Sequence, residues 1–146
     1  MGWTHYWQRD IELPAKPFAD AVAECREILN LLKAPLGDAE GKGEPVLAED
    51  KILFNGADGY SCEPFIINRI QPPRLGGNVA RGYCKTEHLP YDLCVQCTLI
   101  ILKHHLGDAI KITSDGTDYD WDEARKACTK YLGYGDHFCL SQASDS

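Results

Sequence analysis

The sequence predicts an α+β fold, a single-domain sandwich in which a mainly antiparallel sheet carries about three helices on one face. Three observations lead there. The chain has 146 residues, 44% of them apolar, which is enough for one domain with a real core. Short aromatic or β-branched stretches alternate with longer stretches of helical periodicity, in the order β-α-β-β-β-α-β-α. Several strands also follow one another without an intervening helix, as hairpins do, and helices then gather on one face. The whole of 1–146 reads as one globular domain, with about 141–146 as a frayed tail.

The elements follow in order. Trp3 to Gln8 is short and aromatic, so the first strand begins almost at the first residue. Pro14 and Pro17 suit a helix's first turn. Apolar residues at 18, 21, 22, 25, 28, 29 and 32 then keep helical spacing until Pro35 and Gly37 stop it. Gly37 to Asp50 is polar and acidic, and reads as a solvated linker. Lys51 to Asn55 is the second strand, closed by an Asn55-Gly56 turn signal and Asp58-Gly59. Pro64 to Ile70 is the third, and a Pro- and Gly-containing loop leads to a short strand at Tyr83 to Lys85. Pro90 opens the most apolar helix, Tyr91 to Leu106, whose apolar residues cover most of its circumference and mark it as central; Gly107 caps it. Ala109 to Thr113 is a strand and Ser114-Asp115-Gly116 a turn. Asp120 with Glu123 is a capping pair for a last helix ending near Leu132 and Gly133.

Composition narrows the function classes. A net charge of −7 argues against non-specific nucleic-acid binding, which depends on Lys and Arg neutralising phosphates. No stretch approaches the roughly 18 apolar residues of a membrane helix. The N-terminal residues lack the layout of a secretory signal, and Tyr6 stands where a myristoylation motif wants Ser or Thr. The expected location is cytoplasmic. Seven cysteines then read as reduced thiols, several of them on apolar helix faces. Cys94-x-x-Cys97 lies inside an apolar helix and has no second such pair to complete a zinc site. His104-His105 points in two directions about 100° apart and complements the last turn of its helix. Aligning Asp118, Asp120 and Asp122 with a calcium loop leaves Glu123 and Thr129 in place of the required Gly and Glu. No metal and no cofactor is expected.

Arg69 to Lys85 is more informative. It carries Arg69, Arg74, Arg81 and Lys85 without one acidic residue, and Gly76, Gly77 and Gly82 let backbone N–H groups approach an anion. A basic, glycine-containing loop near a helix start is a reasonable cradle for phosphate; a merely flexible basic loop is the alternative. It is not a P-loop, whose spacing is missing. Trp3, His5, Tyr6, Trp7, Tyr91 and Trp121 offer π-faces for a base or sugar, unless they are core. On a strand His5 and Trp7 share one face with Trp3, and Thr4 and Tyr6 the other.

Met1-Gly2-x-Thr4-His5-Tyr6-Trp7, Phe54-Asn55-Gly56, Cys62-x-Pro64-Phe65, Cys84-Lys85-Thr86, Pro90-Tyr91-Asp92 and Ser114-Asp115-Gly116 before Asp120-Trp121 occur together. This set resembles a family of small, largely uncharacterised proteins of phages and bacteria, over nearly the whole chain. In that family basic residues often follow the Lys85-Thr86 pair; here Glu87, His88 and Leu89 stand instead. The polar motif residues lie at strand ends, helix starts and turns, where side chains can converge on a pocket or serve as caps.

Two functions from different classes follow. The first is a non-enzymatic protein, phage-encoded as the resemblance implies. It would bind and sequester an anionic nucleotide-type molecule, such as a cyclic nucleotide used in antiviral signalling, in the host cytosol and as a homo-oligomer. Its binding residues would be His5, Trp7, Arg69, Arg74, Arg81, Lys85, Thr86, Tyr91, Asp92, Ser114 and Asp115. The second is a phosphodiesterase or other hydrolase with His5 or His88 as general acid/base. There Lys85 would face developing charge, and Asp92 or Asp115 would orient the histidine. A protein-binding inhibitor is a third, remote class.

Overall fold

The computed structural model describes residues 2–73 and 76–141. Its strands are β1 (Thr4–Asp10), β2 (Leu36–Gly37), β3 (Val46–Ala48), β4 (Lys51–Gly56), β5 (Phe65–Asn68), β6 (Val79–Lys85) and β7 (Ile110–Ser114). Its α-helices are α1 (Ala15–Leu32), α2 (Asp92–Leu106) and α3 (Asp122–Leu132). Two antiparallel sheets result, so the α+β class is correct. One is β6-β1-β7, and in the other β4 pairs with β2, β3 and β5.

The inner face of β6-β1-β7 presents His5, Trp7, Arg9, Ala80, Cys84, Ile110 and Ile112, all buried. Helix α2 packs on β7 and lies between α1 and α3, which explains why it is buried almost all round. Its Cys94 and Cys97, with Cys25 of α1 and Cys128 of α3, are buried free thiols. Burial pushes the Cys25 and Cys94 thiols up to about 12, far from the range of reactive thiolates. Gly82 belongs to this inner face: a methyl added there would sit 2.4 Å from the Trp7 indole.

Four local expectations need correction. The stretch read as a solvated linker contains β2 and β3, because both pair with β4, and Gly37 and Gly41 are buried. Asn55-Gly56 is not a turn but the end of β4. The Asn55 side chain donates to the carbonyls of Ala39 and Cys62 at 3.0 Å each, and accepts from Gly56 N–H and Cys62 N–H at 2.8 and 3.1 Å. It thus forms the turn contacts from inside a strand. The strand expected at 83–85 begins at Val79, since its whole length pairs with β1. The capping pair before α3 is Thr117 with Asp120, on a single 3₁₀ turn that precedes the helix.

Helix α1 starts after Pro14 and ends with Lys33 in a left-handed conformation. His105 does more than complement its helix end, since its Nε2 lies 2.6 Å from Glu24 of α1. Tyr134 donates its hydroxyl to the same carboxylate at 2.5 Å, and its ring stacks on His104. The backbone N–H of Ser141 donates to Ile112 at 2.8 Å; the remainder of the expected frayed tail lies outside the described residues.

Candidate functional site

Two places gather the polar residues singled out by sequence. The first lies where the ends of β1, β6 and β7 meet the start of α2. Register places His5 directly opposite both Cys84 and Ser114. His5 Nδ1 is 2.7 Å from Ser114 Oγ and Nε2 is 2.6 Å from Asp92 Oδ1. Thr86 Oγ1 donates to the same carboxylate oxygen at 2.5 Å. The other oxygen accepts from Trp3 Nε1 at 3.3 Å and Gln96 Nε2 at 3.1 Å. Ser114 Oγ accepts from Gly116 N–H at 3.0 Å.

This network resembles a Ser-His-Asp relay in its order but not in its accessibility. His5 is 0% exposed, and both ring nitrogens are engaged. Asp92 receives four donors, one for each of its roughly four lone-pair sites. Burial pushes its carboxyl up. The hydrogen bond and charge of His5, with the donors Thr86 and Trp3, outweigh that and hold it below the usual carboxylate range. A satisfied, buried pair of this kind is a fastening between elements.

Beside it opens a cavity of about 370 Å³ lined by Trp3, His88, Asp92, Gln96, Asp120 and Glu123. His88 is exposed and stacks on Trp3 at 3.9 Å. Glu87 and His88 are both left-handed, with φ of 53° and 61°, and Trp3 holds that turn through Glu87 Oε1 and its own carbonyl. Three carboxylates face this cavity and no Lys or Arg does, so its field repels an anion.

The second place is the outer face of β6 and the loop before it. A cavity of about 620 Å³ is lined by Gln71, Pro72, Pro73, Gly76, Val79, Arg81 and Tyr83. Gly76 and Gly77 have φ of 79° and 95°, with open space where a side chain would stand. Among the described residues the Arg81 guanidinium has no carboxylate partner. Tyr83 is 63% exposed.

The structure therefore divides the residues predicted to form one site. His5, Thr86, Asp92 and Ser114 come together, and Asp115 stands next to them, accepting from Thr4 N–H at 3.0 Å and Tyr6 OH at 3.2 Å. Arg81 belongs to the other cavity, and Arg74 lies outside the described residues. Lys85 shares the outer face with Arg81 and is 3.7 Å from Glu87. Arg69 joins neither: its guanidinium donates to the Leu13 carbonyl at 2.9 Å and lies 3.5 Å from Glu12. Trp7 is core, packed on Phe65, which takes its ring away from solvent. Tyr91 is buried with its hydroxyl 2.6 Å from the Glu63 carbonyl, which likewise removes it from a ligand surface.

Sequence reasoning missed Gln96 and Tyr83. Tyr83 had a signal: it lies two residues from both Arg81 and Lys85, so on a strand all three share a face. Among the described residues no helix is long and apolar enough to cross a membrane, and no group of three or more His, Cys, Asp or Glu is placed to hold a metal ion. Comparison with protein-family models, with curated proteins and with solved structures gives no match for this chain.

Proposed function

We propose that this chain binds an anionic, base-containing small molecule of the nucleotide class and sequesters it without turnover. The observation that carries this reading is the Arg81–Tyr83 cavity. A guanidinium that has no carboxylate partner among the described residues, an exposed aromatic ring and a glycine turn share one concavity of about 620 Å³. That volume falls within the range of small-molecule sites, and the three features match phosphate, base and close backbone approach respectively. The filled valences of Asp92 and His5 favour binding over acid–base chemistry, because neither offers a free atom to a substrate. Given the family resemblance, a phage protein holding a cyclic nucleotide signal in a host cytosol is the setting we favour.

A hydrolase is the second reading, favoured by the linear order Ser114–His5–Asp92 alone. Native mass spectrometry separates the two. The purified protein is exposed to deproteinised cell extract and to a panel of linear and cyclic nucleotides. An intact nucleotide retained with a Kd below micromolar, and lost in Arg81→Ala, is the expected result. A consumed nucleotide with a shifted product mass overturns sequestration in favour of the enzyme. Bare protein throughout overturns both and points to a protein partner.

A further inference from the structure

The cavity at Arg81 and Tyr83 ends at β6, and the neighbouring strand carries a second exposed tyrosine on the same sheet face. Tyr83 of β6 and Tyr6 of β1 are directly opposed residues of an antiparallel pair, and both side chains project from the outer face. They are 63% and 41% exposed, and among the described residues neither ring stacks on another aromatic. Directly opposed side chains on one sheet face stand about 5 Å apart at Cβ, so the rings form two adjoining platforms. Arg81 and Lys85 flank Tyr83 at two residues on either side, placing cations along the same row.

We infer that the site takes a dinucleotide, two bases joined by a phosphodiester, with one base on Tyr83 and the other on Tyr6. Exposed aromatics on neighbouring strands of an open sheet stack successive bases, and each stacked base adds separately to affinity. The chain carries a net −7, yet the row beside these rings holds Arg81, which has no carboxylate partner among the described residues, and Lys85, which lies 3.7 Å from Glu87. The tyrosine hydroxyl at Tyr6 is held by Asp115 at 3.2 Å, so that ring is already oriented before a ligand arrives.

This inference rests on the nucleotide-binding reading, and calorimetric titration tells the two apart. The probes are nucleoside monophosphates of all four bases, the corresponding linear and cyclic homodinucleotides, and linear homotetranucleotides. At least one dinucleotide should bind tenfold or more tighter than its mononucleotide. Tyr6→Ala should weaken that dinucleotide about tenfold and leave the mononucleotide unchanged, whereas Tyr83→Ala should weaken both. Tyr6→Phe should keep dinucleotide affinity, which separates stacking from the hydroxyl contact. Equal affinities for mono- and dinucleotide, or a silent Tyr6→Ala, overturn the two-base site while nucleotide binding stands. Affinity that rises again with the tetranucleotides overturns the limit of two bases. No binding by any probe overturns the nucleotide reading itself.

Discussion

Replacing Asp92 by Asn tests whether the His5–Asp92 network is a fastening rather than a reaction centre. The carboxylate now accepts from His5, Thr86, Trp3 and Gln96. An amide is nearly the same shape but turns one of the two oxygens into a donor, so two of those contacts become donor against donor. Gln96 can rotate its own amide to present oxygen and His5 can move its ring proton to Nδ1, facing Ser114 Oγ, but the indole N–H of Trp3 has no such freedom. Hydrogen bonds to a charged group are worth about 1.5–3 kcal/mol, and breaking a buried pair costs about 3–5 kcal/mol. Asp92 keeps 14% of its side chain exposed, which places the expected loss at the lower end, about 3 kcal/mol. For a chain of this size that is a fall in Tm of about 6–12 °C. The pH dependence carries a sign. The folded carboxyl is held below the unfolded value of about 3.9, so its contribution is complete above that pH and disappears as pH falls through the folded value. Urea denaturation of both proteins from neutral pH down to about 3 should therefore show a constant gap that closes only at the acid end. Nucleotide affinity of the variant should match the parent. A gap under 1 kcal/mol at neutral pH, or one that does not narrow in acid, would refute the reasoning.

Two further substitutions probe the frame that holds the sheets. Asn55→Ala strands two carbonyls and two N–H groups that its amide now satisfies, and should cost about 3 kcal/mol or more in equilibrium denaturation. Hydrogen exchange at the amides of Gly56 and Cys62 should quicken first; unchanged protection there would remove Asn55 from this role. Gly82→Ala drives a methyl to 2.4 Å from the Trp7 indole and should cost about 1–3 kcal/mol, with a change in tryptophan fluorescence. Parent-like stability would mean that β6 can withdraw from Trp7 without penalty.

What the sequence made legible is what local periodicity controls. The apolar positions of α1 and α2 keep their spacing over many residues, and no tertiary contact is needed to read them. β2 and β3 span two and three residues, too short for a pattern of their own; pairing with β4 alone makes them strands. Asn55-Gly56 misled because Asn-Gly favours turns locally, whereas here the constraint on Gly56 is tertiary: a side chain there would meet the Tyr60 carbonyl at 2.1 Å. The basic segment showed which residues are charged but not which are committed. Arg69 and Arg81 are equivalent on paper, yet one is spent on Leu13 and Glu12 while the other faces a cavity.

The convergence of His5, Asp92 and Ser114 gives these polar motif residues a structural task that needs no ligand. They come from β1, the start of α2 and the end of β7, 87 and 109 positions from His5. Their combined effect is to tie three chain segments at one corner, with Thr86 and Trp3 closing the turn between β6 and α2. Such a corner demands specific polar residues as strictly as catalysis does, because a buried donor left unpaired is expensive. The outer face of β6-β1-β7 makes the opposite demand. Nothing in the fold needs Tyr83 or Arg81 to be aromatic or cationic there, since both side chains stand in solvent on a strand whose inner face does the packing. Residue identities that the fold does not require are the ones a ligand can explain, which is why we propose recognition on the sheet surface rather than at the buried histidine.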